Sequence, residues 1–157
     1  MKKIILIVGI CFLCSKSVFA ENTIEPIEVF NNFVYLSNQY DLKMLDFYSA
    51  NPIIKREVLG KKTNTLVTVP FSEHVKIQKM YSNHKKMLEK VKNNYKNPTL
   101  TKIGNNRYKI TALRCPTVMD RCFDSYIIIQ KQNGEYKIFE EYSQVQSTYF
   151  LKFKDKK

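Results

Sequence analysis

Residues 107–146 bring a carboxylate, a phenol, a guanidinium, an amide and a hydroxyl onto one face of a run of strands, and these groups are the best placed in the chain to do chemistry. They are Glu140, Tyr142, Arg114, Gln144 and Ser125. The grouping follows from counting outward from two turns. Gln132-Asn133-Gly134-Glu135 contains the Asn-Gly pair of a two-residue type I′ hairpin, in which both central residues need positive φ. Pairing Gln132 with Glu135 sets Ile129 opposite Ile138, Ile127 opposite Glu140, Ser125 opposite Tyr142 and Phe123 opposite Gln144. Side chains alternate along a strand, so all of these share a face. Cys115 and Cys122 flank the preceding turn, and if they face each other, Tyr108, Ile110, Ala112 and Arg114 join that face. The result is apolar at one end and polar at the other. The opposite face offers Leu113, Tyr126, Ile128, Phe139 and Val145, enough apolar surface for a partner or a covering tail.

At the polar end, Glu140 lies beside Ile127, where burial would raise its pKa. Arg114 on the same face would pull that pKa down again. An ion pair closing the end of the sheet accounts for the same residues without catalysis. No metal is expected: neither cysteine belongs to a Cys-x-x-Cys or neighbours a histidine, and His84, on an apolar helical stripe, has no second ligand at metal spacing. His74, near a helix start, has no evident partner either. No cofactor is implied.

The elements that must position this cluster are helical before they are extended. Ile27, Phe30, Phe33 and Val34 form a helical stripe over residues 24–38, and Thr23, Glu25, Pro26 and Glu28 suit its start. Asp41 caps a second, short helix running to Tyr48 and burying Leu42 and Leu45, which Asn51-Pro52 ends. Residues 53–61 and 64–69 read as two strands, the first alternating Ile54, Arg56 and Val58. Pro70 and Ser72 introduce the longest helix, in which Ile77, Tyr81, His84, Leu88, Val91 and Tyr95 recur at helical spacing until Asn97-Pro98. Its other side carries Lys76, Lys79, Lys85, Lys86, Lys90 and Lys92, a solvated face or a weak contact with an anionic surface. Residues 99–103 form a strand leading into the block at 107–146. At the end of the chain, Tyr149, Phe150, Leu151 and Phe153 precede a lysine-rich tip, read as a strand extension or packed tail over residues 149–157. Helices gathered on one side of an antiparallel sheet define an α+β domain.

The chain begins with Lys2 and Lys3, a ten-residue apolar run from Ile4 to Leu13, and Val18-Phe19-Ala20. This pattern predicts a Sec signal peptide over residues 1–20, cleaved after Ala20, because the apolar run is far short of the ~20 residues an anchor needs. Neither Cys11 nor Cys14 follows the small residue a lipoprotein cleavage box requires. Export implies a periplasmic or extracellular protein. Removing the leader takes away three lysines and no acid, lowering the net charge from +12 to +9 on 137 remaining residues. One domain, residues 21–148, is expected. Its two cysteines, Cys115 and Cys122, would meet an oxidising compartment, and a disulfide between them is expected to stabilise by ~2 kcal/mol. Nucleic acid is not an expected partner, because no aromatic ladder interleaves the lysines.

Two stretches carry a family resemblance. Residues 33–49, FVYLSNQYDLKMLDFYS, resemble the opening of the nuclear transport factor 2-like (SnoaL-like, cystatin-like) superfamily: an apolar first helix, an Asp, and a second helix of Leu-x-x-Tyr type. Residues 133–143, NGEYKIFEEYS, are similar to its Asp-Gly-x-Trp-x-Ile hairpin. The order of elements, α-α-β-β-α-β-β-β-β, matches over nearly the whole chain after the leader. The resemblance implies a cone, a strongly curved sheet wrapped around helices with one pocket at its open end, lined by Arg114, Ser125, Glu140, Tyr142 and Gln144, with Tyr48 completing the set. It also implies two kinds of activity. One is a non-catalytic domain that binds a small apolar or amphipathic ligand, or a protein partner, homodimer or envelope protein, through the sheet face. The other is a cofactor-independent isomerase, lyase or hydrolase using a pocket carboxylate, with Glu140 as the base and Tyr142 or Arg114 stabilising developing negative charge. The steroid isomerases of the superfamily carry an acid on an early strand where this chain has Ile53, Ile54, Lys55 and Arg56, and the limonene epoxide hydrolase pattern finds no match. The periplasmic domains of type IV secretion assembly factors look like this fold too, but they keep an N-terminal membrane helix.

Overall fold

The computed structural model describes residues 25–154, so the predicted leader, its cleavage site and the last three residues lie outside the described part. α1 spans Pro26–Asn38 with Pro26 at its first turn, where a missing N–H costs nothing. Its end is an αL cap: Tyr40 N donates to Ser37 O and Asp41 N to Leu36 O, with Tyr40 itself at φ 53°. Glycine usually fills that position. Here the tyrosine hydroxyl donates to Val91 O, a contact glycine could not make. The predicted second helix is a single 3-10 helix, Leu42–Phe47, and Asp41 caps it by accepting from Lys43 N at 2.9 Å.

Six strands follow: β1 Tyr48–Val58, β2 Thr65–Val69, β3 Asn93–Gly104, β4 Arg107–Pro116, β5 Phe123–Gln132 and β6 Glu135–Val145, with α2, Phe71–Asn83, between β2 and β3. They form one sheet in the order β2-β1-β6-β5-β4-β3. All neighbours are antiparallel except β1 and β6, which run parallel and make the sheet mixed. The α+β class and the order of elements are those the sequence indicates. Asn51-Pro52, expected to end the second helix, instead sits within β1, where the pairing with β6 skips from Tyr48 to Ile53 and so spares proline a ladder bond.

α2 is shorter than its periodicity suggests. It ends at Asn83, residues 84–92 pass through successive turns, and β3 already begins at Asn93, running through Asn97-Pro98 as an irregularity in its pairing. A helix reaching Tyr95 would forfeit the ladder of Asn93–Lys96 with Leu113–Pro116, and that tertiary pairing outweighs the helical pattern. The terminal aromatics form a 3-10 helix, Thr148–Phe153, rather than an extended strand. Phe153 is fully buried in the core.

The core lies between the concave side of the sheet and the two helices. Val29, Phe30 and Phe33 of α1 meet Ile54, Val67, Val69, Ile110, Ile127, Ile129 and Ile138 of the sheet. Ile54, Ile110, Ile129 and Ile138 are completely inaccessible. Burial of each contributes roughly 2 kcal/mol.

The register of β4 on β5 is as counted: Tyr108 faces Ile129, Ile110 faces Ile127, Ala112 faces Ser125 and Arg114 faces Phe123. Asn133 and Gly134 both take positive φ, 51° and 87°, as the type I′ turn requires. The count fails beyond Ile138. A β-bulge at Phe139 shifts the register by one, so Ile128 pairs with Glu140, Ile127 with Glu141, Tyr126 with Tyr142 and Ser125 with Ser143. Every residue of β6 after the bulge therefore changes face. Glu140, Tyr142 and Gln144 move to the outer side, and Glu141, Ser143 and Val145 turn inward.

Candidate functional site

The concave side encloses a cavity of about 410 Å³ bordered by α1, α2, the 84–92 turns and the sheet. Of the residues named from the sequence, Arg114 and Ser125 border it, and Tyr142 does so without its ring. Tyr48 does not border it but is buried behind it against His74, which does. Glu140, Tyr142 and Gln144 do not contribute their functional groups to it, because the bulge turns them out. On the outer face Glu140 accepts from Lys55 Nζ at 2.8 Å and from the Tyr126 hydroxyl at 2.6 Å. Tyr142 donates to Glu57 at 2.6 Å, Gln144 donates to the same carboxylate oxygen at 2.8 Å, and the rings of Tyr126 and Tyr142 stack 4.8 Å apart. Tyr126 and Tyr142 border the cavity as strand residues whose rings lie on the far face. Burial would raise the Glu140 carboxyl, but hydrogen bonds from Lys55 and Tyr126 and the Lys55 charge hold it below its ordinary value. It is an ionised surface-side partner, not a poised base.

At the inner end of the cavity, four side chains form a buried polar network. Arg56 projects inward between Ile54 and Val58, its Nη2 2.5 Å from Glu141 Oε1 and its Nη1 2.8 Å from Lys55 O. The Tyr48 hydroxyl donates to the other oxygen of Glu141. Since that single proton is committed, His74 Nε2, 3.3 Å from the Tyr48 oxygen, acts as the donor to it, which fixes the imidazole tautomer. Burial opposes ionisation of Glu141, yet the Arg56 charge, His74 and the two hydrogen bonds bring its pKa down to about 2. Burial pushes His74 the other way, from 6.5 down to about 4, so it is neutral at physiological pH. Burial, with Glu141 adding to it, raises the Tyr48 phenol well above its usual value. With Glu141 saturated and both other groups held in one protonation state, the network positions α2 on the sheet and offers no group tuned for proton transfer near neutrality.

Arg114 is different. Its guanidinium donates through Nε to Ser143 Oγ at 3.0 Å, through Nη1 to Asn93 Oδ1 at 3.0 Å and through Nη2 to Gln144 O at 2.8 Å. All three acceptors are neutral; no carboxylate among the described residues lies within ion-pair distance of it, and Glu141 acts on its charge only from further off. Two of its five N–H groups remain for another acceptor. Burial lowers its pKa from the usual arginine value, the mark of a charge removed from water. It also lies over the Phe123 ring, 5.3 Å from the centroid. On the α1 side of the same cavity, the Ser37 hydroxyl is buried with no hydrogen-bond partner among the described residues. Ser125, by contrast, spends its hydroxyl on Ala112 O at 2.8 Å. No three His, Cys, Asp or Glu side chains among the described residues gather at metal-binding spacing.

Arg56, His74, Glu141, Ser143, Asn93 and Ser37 were not singled out from the sequence. Arg56 announces itself as a charge inside the alternating row Ile54, Arg56, Val58. His74, expected to lack a partner, shares a helical face with Phe71 and Tyr81, three before and seven after it, and finds Tyr48 across the core. His84, placed on the apolar stripe, is instead exposed at the end of α2, with Nδ1 2.8 Å from Met80 O. The sulfurs of Cys115 and Cys122 lie 1.98 Å apart at the turn between β4 and β5.

No protein-family model matches the sequence, and a comparison with curated proteins finds no relative. Solved structures do match. A protein of unknown function of the DUF3225 family from Pectobacterium atrosepticum superposes with a TM-score of 0.58 at 11% identity, over 77% of this chain and 88% of its own. An NTF2-like protein of unknown function from Shewanella oneidensis gives 0.55 at 14% identity, over 76% of this chain and 95% of its own. The fold is that of the nuclear transport factor 2-like proteins, as the two sequence stretches suggested. At such identities the likeness speaks for the fold and not for an activity.

Proposed function

We propose that this protein is an exported, non-catalytic binding domain whose cavity takes a small amphipathic molecule with an apolar body and an anionic head, the head meeting Arg114. The observation that carries the reading is the unmatched charge. Arg56 has Glu141, whereas Arg114 sits in the cavity wall with neutral acceptors and spare donors. An incoming carboxylate would receive charge-assisted hydrogen bonds there. Phe30, Phe33, Ile54, Val69 and Phe123 supply apolar walls for the body, and a volume near 410 Å³ lies within the range of small-molecule sites. Catalysis by a pocket carboxylate loses its support, since Glu140 faces away and Glu141 is held at about 2. The leader-like segment supports export, and an oxidising compartment would keep Cys115 and Cys122 bonded.

Titration calorimetry with decanoate and with decanol, which shares the chain but not the charge, tests the reading. Decanoate is expected to bind one to one and more tightly than decanol. Arg114→Gln should weaken decanoate by roughly tenfold to a hundredfold while leaving decanol unchanged. Equal binding of both compounds by the wild type and the variant would sink the proposal. Export is checked separately by N-terminal sequencing of the protein recovered from the cell envelope, where Glu21 is the expected first residue.

A further inference from the structure

We infer that the mouth of the cavity is a docking face for an anionic phospholipid bilayer, an inference that rests on the ligand reading above. Exposure identifies the mouth. Among the residues bordering the cavity, Val118 is 58% exposed, Met119 43% and Tyr81 38%, whereas Phe33 and Ile54 are buried. Met87, 81% exposed, stands next to Leu88, which also borders the cavity, and Met80 next to Tyr81 is half exposed. Water therefore meets large apolar tips along this border of the cavity.

Two chain segments carry this rim, residues 84–92 and 116–122, and they are tied together. Thr117 N donates to Lys92 O at 2.9 Å, Lys92 N donates to Thr117 Oγ1 at 3.0 Å, and Thr117 Oγ1 donates to Lys90 O at 2.6 Å. The exposed methionines and valine are thus held on one continuous ridge. The same segments hold Lys85, Lys86, Lys90, Lys92 and Arg121 against only Glu89 and Asp120. Lys92 is partly engaged, donating to Asn38 O and lying over the Tyr40 ring, but Lys85, Lys86 and Lys90 are exposed.

Apolar tips with flexible cations on the same chain segments are what an interfacial site needs; Lys85 and Lys86 line a second hollow beside Tyr40 and Leu42 rather than the cavity itself. The tips enter the boundary between headgroups and acyl chains, and the ammonium groups reach lipid phosphates on aliphatic stems. Docked this way, the cavity opens onto the phase in which an amphipathic anion resides. The ligand could enter apolar end first without crossing bulk water, leaving its head near Arg114.

Co-sedimentation of the leader-free protein with two kinds of vesicle tests the inference, one of phosphatidylcholine and one in which phosphatidylglycerol replaces a quarter of it. Binding is expected only to the anionic vesicles and should fall as salt rises. Lys85→Gln/Lys86→Gln/Lys90→Gln should reduce partitioning roughly a hundredfold. Met80→Ser/Met87→Ser, which leaves the charge unchanged and touches no residue bordering the cavity, should also lower it, by roughly tenfold. Equal binding to both vesicles, or insensitivity to the lysine substitutions, overturns the docking. Full binding by the methionine variant overturns it too, because the contact would then not involve the mouth. Decanoate titration of each variant shows that the cavity is intact. Arg114→Gln separates the two proposals: it should abolish selective decanoate binding and leave vesicle partitioning unchanged, and wild-type vesicle binding without decanoate binding would remove the ligand reading alone.

Discussion

Single residues decide the protonation behaviour of this protein. Arg56 and Glu141 are both nearly inaccessible, so removing one leaves the other as an uncompensated buried charge. Arg56→Met is expected to cost about 3–5 kcal/mol, read as a lowered urea midpoint, whereas Lys76→Met, breaking an exposed pair with Glu73, should change it hardly at all. The pH profile follows from two depressed pKa values. His74 titrates near 4 when folded and near 6.5 in its ordinary state, so as pH falls the unfolded chain takes up the proton first. Stability is full above about pH 6.5 and drains between there and about 4, by on the order of 3 kcal/mol. Glu141, at about 2 against an ordinary 4.5, has the same sign and adds a second loss between those values. His74→Gln should flatten the upper window of a urea-midpoint profile and keep the lower; a profile identical to the wild type would contradict the buried neutral imidazole. These residues were only half legible in the sequence. Arg56 broke an apolar alternation, but its partner lies 85 residues away, and no local pattern reports such a distance.

Among the elements, the join between α1 and β3 is held by one side chain acting as a short strand. Asn38 donates from Nδ2 to Asn93 O at 2.9 Å and accepts at Oδ1 from Asn93 N at 2.8 Å, satisfying both main-chain groups at the start of β3. Asn38→Leu forfeits both, and a loss of about 2 kcal/mol is expected in equilibrium unfolding. Asn38→Asp keeps only the acceptor and should fall between the two. This join explains why α2 departs from its periodic pattern. Residues 84–92 keep Leu88 and Val91 on the cavity side, as a helical stripe would, but the chain must arrive at Asn93 extended to meet both Asn38 and β4. The α1 stripe, the Asp41 cap, the Asn-Gly turn and the β4–β5 register were readable because each depends on neighbours in sequence or on one turn. The end of α2 and the bulge at Phe139 depend on contacts across the sheet.

For the molecule as a whole, the Cys115–Cys122 pair closes the loop that carries Val118 and Met119 at the cavity mouth. Reduction should lower stability by about 2 kcal/mol, seen as a lower melting temperature with reductant than without. A melting curve indifferent to reductant would mean the thiols are free in solution. The α+β class followed from the order of elements, and the expectation of a cavity from the family resemblance. The composition of the cavity wall did not, because two of its polar members, Glu141 and Ser143, owe their orientation to one extra residue. That residue also governs comparison between proteins of this fold. A closing strand with a bulge and one without present the same inward row with positions offset by one, so matching them column by column would set Glu140 against residues that do the work of Glu141. At 11–14% identity no flanking similarity corrects the offset. Parity, the odd or even count from the Asn-Gly turn once Phe139 is skipped, is the property by which pocket residues in such strands are to be equated.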